Sequence, residues 1–310
     1  MNYLITGGAG FIGSNLIGEL IDTAKSIHVL DNLLTGSLGN LESFKNYKNL
    51  HFINHDIQYH YEANFEIDHV IHLASCASPV SYQSNPINTL KSGSIGTINA
   101  LGIARKHNSN FLLASTSEVY GDPKVSPQNE DYWGNVNPVG PRSMYDESKR
   151  FAEAATQSYI SEYSLNAKII RIFNTFGPNM KLNDGRVVTN FIVQALKGKD
   201  ITVNGDGTQT RSFSYIQNTI DGIVLALRHS SPDIFNIGND EEITVLKLAE
   251  IIIRLTNSNS KVIHKEKLID DPMMRKPDLT KSKEILGYKP KINLESGLIK
   301  TIEWVQKELG

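Results

Sequence analysis

The chain has 310 residues, with 31 Lys and Arg residues against 33 Asp and Glu residues, and its formal net charge is -2. Its 40% hydrophobic and 21% charged residues are typical of a soluble globular protein, and the balanced charge argues against a nucleic-acid-binding surface. A single cysteine, Cys76, excludes an intrachain disulfide. The sequence has no Cys/His cluster of the kind that binds structural zinc, so we predict no bound metal.

The first apolar strand begins at residue 3, and no apolar run approaches the length that spans a bilayer. We therefore expect no signal peptide, no membrane contact and a cytoplasmic location.

The N-terminal segment has the pattern of a dinucleotide-binding unit. The strand 3–6 runs into a turn whose glycines are Gly7, Gly10 and Gly13, and helical periodicity follows. The first glycine can make the tight turn, the second lets the backbone approach a pyrophosphate, and the third allows close helix–strand packing. A second strand, 26–30, ends at Asp31, where a carboxylate would accept hydrogen bonds from a ribose. Asp31 would repel a 2′-phosphate, so the sequence favours NAD over NADP; a simple turn role is the alternative.

Strands alternate with helices through the first half of the chain, which predicts an α/β fold of the Rossmann type, a doubly wound parallel sheet with helices on both faces. The further predicted strands are 50–53, 68–73, 110–114 and 165–173, and the predicted helices are 88–106 and 143–163. The composition changes after residue 177. We expect a NAD-binding domain over 1–176, to which 215–240 return, and a smaller, mainly substrate-binding domain over 177–310.

The predicted helix 143–163 carries a Tyr-x-x-x-Lys pair, Tyr145 and Lys149. One turn apart on a helix, the ammonium can lower the pKa of the phenol, and a phenolate beside a sugar hydroxyl is a general base. Such a pair occurs by chance on many surface helices. The glycine motif upstream favours the catalytic interpretation, alcohol oxidation with a nicotinamide cofactor.

With these motifs the chain resembles the extended short-chain dehydrogenase/reductases that act on nucleotide sugars, and within them the UDP-glucuronate decarboxylase branch. The segments that carry the resemblance are 7–13, 72–75, 115–123, 130–138, 145–149, 171–178, 184–188 and 275–278. The glycine motif and the Tyr–Lys pair are common to the superfamily. The Glu-Asp-Tyr-Trp-Gly, Thr-Ser-Glu and Arg-Lys-Pro-Asp segments are far more specific to the decarboxylases.

The resemblance implies NAD-dependent conversion of UDP-glucuronate to UDP-xylose. Tyr145 would take the proton from the C4 hydroxyl during oxidation, while Lys149 holds the ribose and sustains the phenolate. The 4-keto acid then loses CO2, and donors such as Thr116 and Tyr145 stabilise the enolate before C4 is reduced again. Glu118 would help to return a proton to C5, and Arg275 would lie near the sugar carboxylate. A buried structural carboxylate is the alternative for Glu118.

Cofactor and substrate positions complete the predicted site. Those expected to bind NAD are Gly7, Gly10, Phe11, Ile12, Gly13, Asp31, Asn32, Thr35, Gly36, Asp56, Ile57, Leu73, Ala74, Ser75 and Lys91, with Tyr145 and Lys149. Those expected to bind the UDP-sugar are Pro79, Tyr82, Ser117, Asn174, Arg186, Arg211 and Arg275. The chain has Cys76 and Val80 where its relatives often have proline, a difference that bears on fine substrate fit. It has Asn218 where many relatives have aspartate.

Other functions stay open. Related dTDP-glucose 4,6-dehydratases have an aspartic acid at the place of Ser117, and simple 4-epimerases usually lack the glutamate that is Glu118 here. A nucleotide-hexose 4,6-dehydratase or 4-epimerase is therefore the second interpretation. A non-catalytic NAD-binding regulator is a more distant one. The resemblance also implies a homodimer, formed through the helices near 88–107 and 143–163.

Overall fold

The computed structural model describes residues 1–266 and 272–310. Its strands are β1 (Asn2–Thr6), β2 (Ser26–Asp31), β3 (Leu50–Asn54), β4 (His69–His72), β5 (Asn110–Thr116), β6 (Ala167–Ile172), β7 (Thr175–Phe176), β8 (Ile201–Asn204), β9 (Thr210–Ser212), β10 (Ser214–Tyr215), β11 (Asp233–Ile237), β12 (Glu242–Thr244), β13 (Val262–Lys265) and β14 (Met274–Arg275). Its helices are α1 (Phe11–Leu20), α2 (Pro79–Ser84), α3 (Pro86–Gly93), α4 (Ile95–Lys106), α5 (Ser143–Tyr163), α6 (Val187–Leu196), α7 (Ile216–Arg228), α8 (Val245–Leu255), α9 (Thr280–Leu286) and α10 (Leu294–Leu309). Short 3-10 helices cover Leu38–Phe44 and Ser117–Tyr120.

A seven-stranded sheet in the order β11-β6-β5-β4-β1-β2-β3 forms the centre of the molecule. Every pairing in it is parallel, which confirms the predicted doubly wound α/β fold. The strand order reverses direction between β1 and β4. In such sheets the crevice outside the carboxyl ends of the strands at this switch point is where ligands bind.

Apolar side chains cover both faces of the sheet, because successive residues of a strand point to opposite sides. Ile5 belongs to the larger apolar cluster, which also contains α1 and α7, and its neighbour Leu4 belongs to the cluster under α4 and α5. The larger cluster continues into α6, α8 and α10. The C-terminal segments therefore pack on the same core that supports the sheet. The division of the chain at residue 177 stays a prediction.

The helix predicted over 88–106 is wrong in its bounds, since α3 ends at Gly93 and α4 begins at Ile95. A Cβ on Gly93 would lie 2.5 Å from the Oγ of Ser148, so this glycine lets α3 pack tightly on α5. The two helices are separated only at Ser94, which has φ -103° and ψ -76°.

The predicted helix 143–163 has the expected bounds as α5, and its buried residues are Tyr145, Asp146, Ser148, Lys149, Ala152, Ala155 and Thr156. Their spacing of three and four residues makes one face that packs on the sheet. Within residues 1–266 and 272–310, no helix has both the length and the apolar character needed to cross a membrane. No group of three or more His, Cys, Asp or Glu residues in the same described ranges could hold a metal ion.

Candidate active site

A cleft of about 620 Å3 opens at the carboxyl edge of the sheet, beyond the ends of β1 and β4. It brings together almost every residue that the sequence analysis singled out. The predicted residues that line it are Gly7, Gly10, Phe11, Ile12, Gly13, Asp31, Asn32, Thr35, Asp56, Ile57, Leu73, Ala74, Ser75, Pro79, Tyr82, Thr116, Ser117, Glu118, Tyr145, Lys149, Asn174, Arg186, Arg211 and Arg275. Two predicted residues are absent from this lining. Gly36 packs behind Asp31, since a Cβ there would lie 3.1 Å from Asp31 Oδ1, and Lys91 is exposed in the last turn of α3.

The glycine turn after β1 is shaped by backbone packing. Gly7 has a φ of +71°, and a Cβ on it would lie 2.7 Å from the backbone nitrogen of Ala74. A Cβ on Gly13 would lie 2.6 Å from the carbonyl oxygen of Gly7, so Gly13 packs on the turn rather than on the strand that precedes it. Gly10 precedes α1 and provides no side-chain cap, so the first turn of the helix is available to an anion.

The carboxylate of Asp31 is fixed at the end of β2. Its Oδ2 accepts a hydrogen bond from the backbone N–H of Ala9 at 3.0 Å, and its Oδ1 accepts one from Leu33 at 2.8 Å. Burial raises the pKa of Asp31, and these two N–H groups oppose that shift. Each oxygen keeps a lone pair for a ribose hydroxyl, whereas a 2′-phosphate would meet a negative charge. The glycine turn and Asp31 together fit NAD.

The Tyr145 hydroxyl lies in the cleft, but Lys149 does not lower its pKa as the sequence suggests. Lys149 Nζ donates to the carbonyl oxygen of Ala114 at 2.8 Å and lies 6.0 Å from the centre of the Tyr145 ring. Burial raises the pKa of Tyr145 to about 12, and its hydrogen bond with Thr116 opposes the rise. Burial lowers the pKa of Lys149 to about 8. In this structure Tyr145 is therefore a buried neutral phenol, and Lys149 is an amine of lowered basicity.

Glu118 lies between two arginines. Its Oε1 accepts a hydrogen bond from Arg275, and its Oε2 accepts one from Arg142. Burial alone would raise the pKa of Glu118, but the charges of Arg275 and Arg142 outweigh it and hold the pKa at about 2. Both oxygens of Glu118 are therefore paired with guanidinium groups. Its expected role in returning a proton to C5 stays a prediction.

Arg142 and Asp146 extend this arrangement, and the sequence analysis missed both. Arg142 Nε lies 3.8 Å from Asp146 Oδ2, one helical turn along α5. Asp146 is only 6% exposed, and its Oδ1 has no hydrogen-bond partner among the described residues. The i, i+4 spacing of an arginine and an aspartate is the signal that could have found the pair. We call Glu118, Arg142, Asp146 and Arg275 the cleft cluster.

The cleft has buried polar atoms without a partner at positions predicted to bind the cofactor and the substrate. Within the described chain, Ser75 Oγ, Tyr82 Oη and Asn174 Nδ2 are buried without a hydrogen-bond partner. A ligand that supplies partners at these atoms would remove the cost of burying them. The Tyr82 ring stacks on the Tyr145 ring at 5.2 Å, which places Tyr82 beside the phenol of the Tyr–Lys pair.

The positions that depart from the relatives have distinct surroundings. Cys76 is buried against Tyr82 and Tyr145, and burial raises the pKa of its thiol. Val80 is 49% exposed, and its Cγ2 would lie 2.7 Å from a Cβ on Gly185. Their effect on substrate fit stays a prediction. Asn218 is structural, because its side chain bonds the backbone of residues 291 and 292.

The parallel sheet, the glycine turn and the Tyr145–Lys149 pair define a dinucleotide-binding protein of the extended short-chain dehydrogenase/reductase class. The family model described as GDP-mannose 4,6 dehydratase matches residues 4–301. UDP-glucuronic acid decarboxylase 1 of Danio rerio is 48% identical over 306 residues, which cover 99% of this chain and 73% of that protein. The chain therefore belongs to the family that this model describes and, within it, to the UDP-glucuronic acid decarboxylases.

Solved structures agree on the fold and on the class of ligand. The UDP-glucose 4-epimerase of Thermotoga maritima, determined with UDP-glucose, has a TM-score of 0.91 and 29% identity, with 100% of both chains covered. The UDP-glucuronic acid 4-epimerase of Bacillus cereus, determined with UDP-glucuronic acid and NAD, has a TM-score of 0.87 and 26% identity, covering 99% of this chain and 100% of that one. Both neighbours bind a nucleotide sugar.

Proposed function

We propose that this protein is a lyase that converts UDP-glucuronate to UDP-xylose and CO2 with NAD as cofactor. The family relationship and the fit of the glycine turn and Asp31 to NAD support this proposal. NAD, when bound, accepts the C4 hydride and later returns it, so the reaction has no net redox change. The residues of the chain supply the proton transfers and the charges around the sugar.

The single observation that carries the proposal is the charge around Ser117. This residue is an uncharged, buried side chain between Thr116 and Glu118, and Glu118 is held by two arginines. A dehydratase needs an acid that protonates the leaving C6 hydroxyl. Neither Thr116 nor Ser117 is such an acid, and Glu118 has no proton to give. The guanidinium of Arg275 suits a substrate with a carboxylate at C6.

Tyr145 is the proposed acid and base for C4. Its hydroxyl is hydrogen-bonded to Thr116, so it can pass a proton while Thr116 keeps the phenol oriented. A positive charge nearby must lower the pKa of Tyr145 from about 12 before it can act as a base near neutral pH. The charge of Arg186 already opposes the rise, and the oxidised nicotinamide of a bound NAD would add a second positive charge. Once C4 is a ketone, the bond from C5 to the carboxylate breaks and CO2 leaves, while Tyr145 and Thr116 can donate to the enolate oxygen. The enolate then takes a proton at C5 from a water molecule that Glu118 would orient, and C4 is reduced again.

The test is incubation of the purified protein with NAD+ and UDP-glucuronate, with CO2 release and the mass of the nucleotide sugar followed together. We expect loss of CO2 and formation of UDP-xylose. A product of unchanged mass would indicate 4-epimerisation, as in the Bacillus cereus enzyme. Activity on a nucleotide hexose with loss of water would favour the dehydratase. No turnover with any of these, despite NAD binding, would favour the non-catalytic regulator.

A homodimer is also part of the proposal. Ile95 and Ile98 on α4 are 46% and 37% exposed, and Phe151 on α5 is 45% exposed, so these two helices carry apolar side chains on the surface. A second copy of the same face would bury them. Light scattering should give twice the chain mass, and Phe151→Glu should lower it toward the monomer. A wild-type protein that is monomeric at assay concentration would contradict the dimer. A cytoplasmic location stays a prediction.

A further inference from the structure

Asp146 is a buried carboxyl group to which the proposed reaction gives no task. It lies in the first turn of α5, directly after Tyr145, and is 6% exposed. Its only described cationic contact is Arg142, at 3.8 Å from one oxygen, while the other oxygen has no partner among the described residues. Of the two carboxylates in the cleft cluster, Asp146 is therefore much the less stabilised as an anion.

The four residues of the cleft cluster carry equal numbers of positive and negative charges, and the charge of Arg211 also acts on Glu118. Arg142 and Arg275 carry two positive charges, and Glu118 and an ionised Asp146 carry two negative ones. A sugar carboxylate at Arg275 would add a third negative charge in an enclosed site. Such an excess is costly at low dielectric, and the usual outcome is protonation of the least stabilised group.

We propose that Asp146 takes up one proton when a carboxylate-bearing nucleotide sugar binds, which keeps the cleft cluster neutral. The inference rests on the function proposed above. Glu118 cannot take this proton easily, because both of its oxygens accept hydrogen bonds from guanidinium groups. Burial and the charge of Glu118 already raise the pKa of Asp146, and Arg142 opposes the rise. Protonation of Asp146 thus removes the repulsion that its ionised carboxylate would exert on an acidic sugar.

The groups that face Asp146 come from four parts of the chain. They are Tyr82 on α2, Glu118 in the 3-10 helix, Arg275 on β14, and Arg142, Tyr145 and Glu147 on or beside its own helix. Helix α3 packs on α5 and carries one charged residue, Lys91, which is exposed. Lys149 is the main competitor for a proton, since burial lowers its pKa to about 8.

The test is titration calorimetry of the enzyme loaded with NADH, which cannot accept a hydride and so prevents turnover. Two buffers of different ionisation enthalpy give the number of protons bound at about pH 8. We expect wild type to take up about one proton with UDP-glucuronate and none with UDP-xylose, which lacks the carboxylate. Asp146→Asn should take up none with either ligand. Glu147→Gln, which removes a carboxylate from the next position, should behave as wild type does.

Three results would overturn the inference. The first is proton uptake that persists in Asp146→Asn, which would assign the proton to Lys149 or another group. The second is equal proton uptake with UDP-xylose and UDP-glucuronate. The third is no proton uptake by wild type. A protein that releases CO2 from UDP-glucuronate without this uptake would contradict only the role of Asp146. A protein that neither binds nor decarboxylates UDP-glucuronate would instead contradict the proposed function. If Asp146→Asn does not fold, Asp146→Ser takes its place, because the comparison of the two ligands on wild type cannot by itself separate Asp146 from Lys149.

Discussion

Two buried clusters of arginine and carboxylate lie close together in this molecule and differ in how well their atoms are satisfied. In the first, the enclosed cluster of Tyr120, Glu153 and Arg171, Arg171 binds both oxygens of Glu153 at 3.0 and 2.8 Å. Arg171 also donates to Tyr120 at 2.9 Å, and Ser115 donates to Glu153 at 2.5 Å. In the cleft cluster, Asp146 keeps an oxygen without a described partner.

Burial does not separate the two clusters. The side chains of Arg171 and Glu153 are 10% and 13% exposed, and those of Arg142 and Glu118 are 17% and 14% exposed. What differs is how the carboxylates are satisfied. Glu153 accepts hydrogen bonds from Arg171 at both oxygens, whereas Asp146 Oδ1 has no described partner, and burial and the charge of Glu118 raise the pKa of Asp146 to about 7. A satisfied ion pair supports the fold, and an unsatisfied one is a candidate for function.

The largest expected effect is a loss of stability when the enclosed cluster is broken. Arg171→Met should lower the free energy of unfolding by about 3–5 kcal/mol, because it leaves the Glu153 carboxylate buried without its partner. Chemical denaturation measures the loss. The matched control is Arg254→Met, since Arg254 also binds a carboxylate through two bonds, to Glu295, but is 59% exposed. That change should cost under about 1 kcal/mol, and equal losses for the two variants would contradict the comparison.

The next effect concerns activity rather than stability. Glu118→Gln should lower kcat/KM by about 100-fold, because Arg275 and Arg142 lose the charge that orients them toward the sugar. Its free energy of unfolding should change by no more than about 1 kcal/mol, since water in the cleft can solvate the guanidinium groups.

Glu153→Gln makes the same chemical change in the enclosed cluster and is the control for Glu118→Gln. We expect it to change stability more than kcat/KM, because Glu153 and Arg171 tie α5 to β6 and neither residue lines the cleft of the candidate active site. The two variants should therefore show opposite patterns. If Glu118→Gln unfolded as readily as Glu153→Gln and kept its activity, the cleft cluster would be structural.

The local part of the site could be predicted from sequence because its residues are neighbours along the chain. The glycine turn, Asp31 and the Tyr145–Lys149 spacing each depend on one strand end or one helical turn. The doubly wound sheet follows in the same way from alternating strands and helices. Lys91 shows the limit of this reasoning, since a position carried over from the resemblance lies outside the cleft lining.

The rest depends on packing between distant segments. Arg275 meets Glu118 because β14 pairs with β9 and the following residues pair with Gln128, and the two residues are 157 positions apart. Lys149 bonds Ala114 on β5, so its distance from the Tyr145 ring is set by the sheet and not by helical spacing. An arginine and an aspartate one turn apart normally lie on a helix surface. Nothing in their spacing shows that Asp146 is buried.

The smallest expected effect is a gain in stability when the buried carboxyl group of the cleft cluster is replaced by a neutral side chain. Asp146→Asn should raise the free energy of unfolding above that of wild type by more than about 1 kcal/mol at pH 8, in the absence of ligands. The reason is that an ionised Asp146 is poorly solvated and Asn is neutral at every pH. Urea denaturation at a series of pH values measures the difference. Glu147→Gln should show no such trend.

The sign of this effect follows from the direction of the pKa shift. Asp146 has a folded pKa of about 7 against an ordinary value of 3.8, so between these values the native state holds a proton that the unfolded chain has released. Unfolding then releases a proton, and wild type loses stability as the pH rises from about 4 to about 7. Asp146→Asn has no carboxyl group at this position and does not lose this stability. The difference in free energy of unfolding between the variant and wild type should therefore grow across this window and level off above it. A constant difference from pH 5 to 8 would mean that Asp146 ionises normally in the folded protein, and the two clusters would then not differ in their acids.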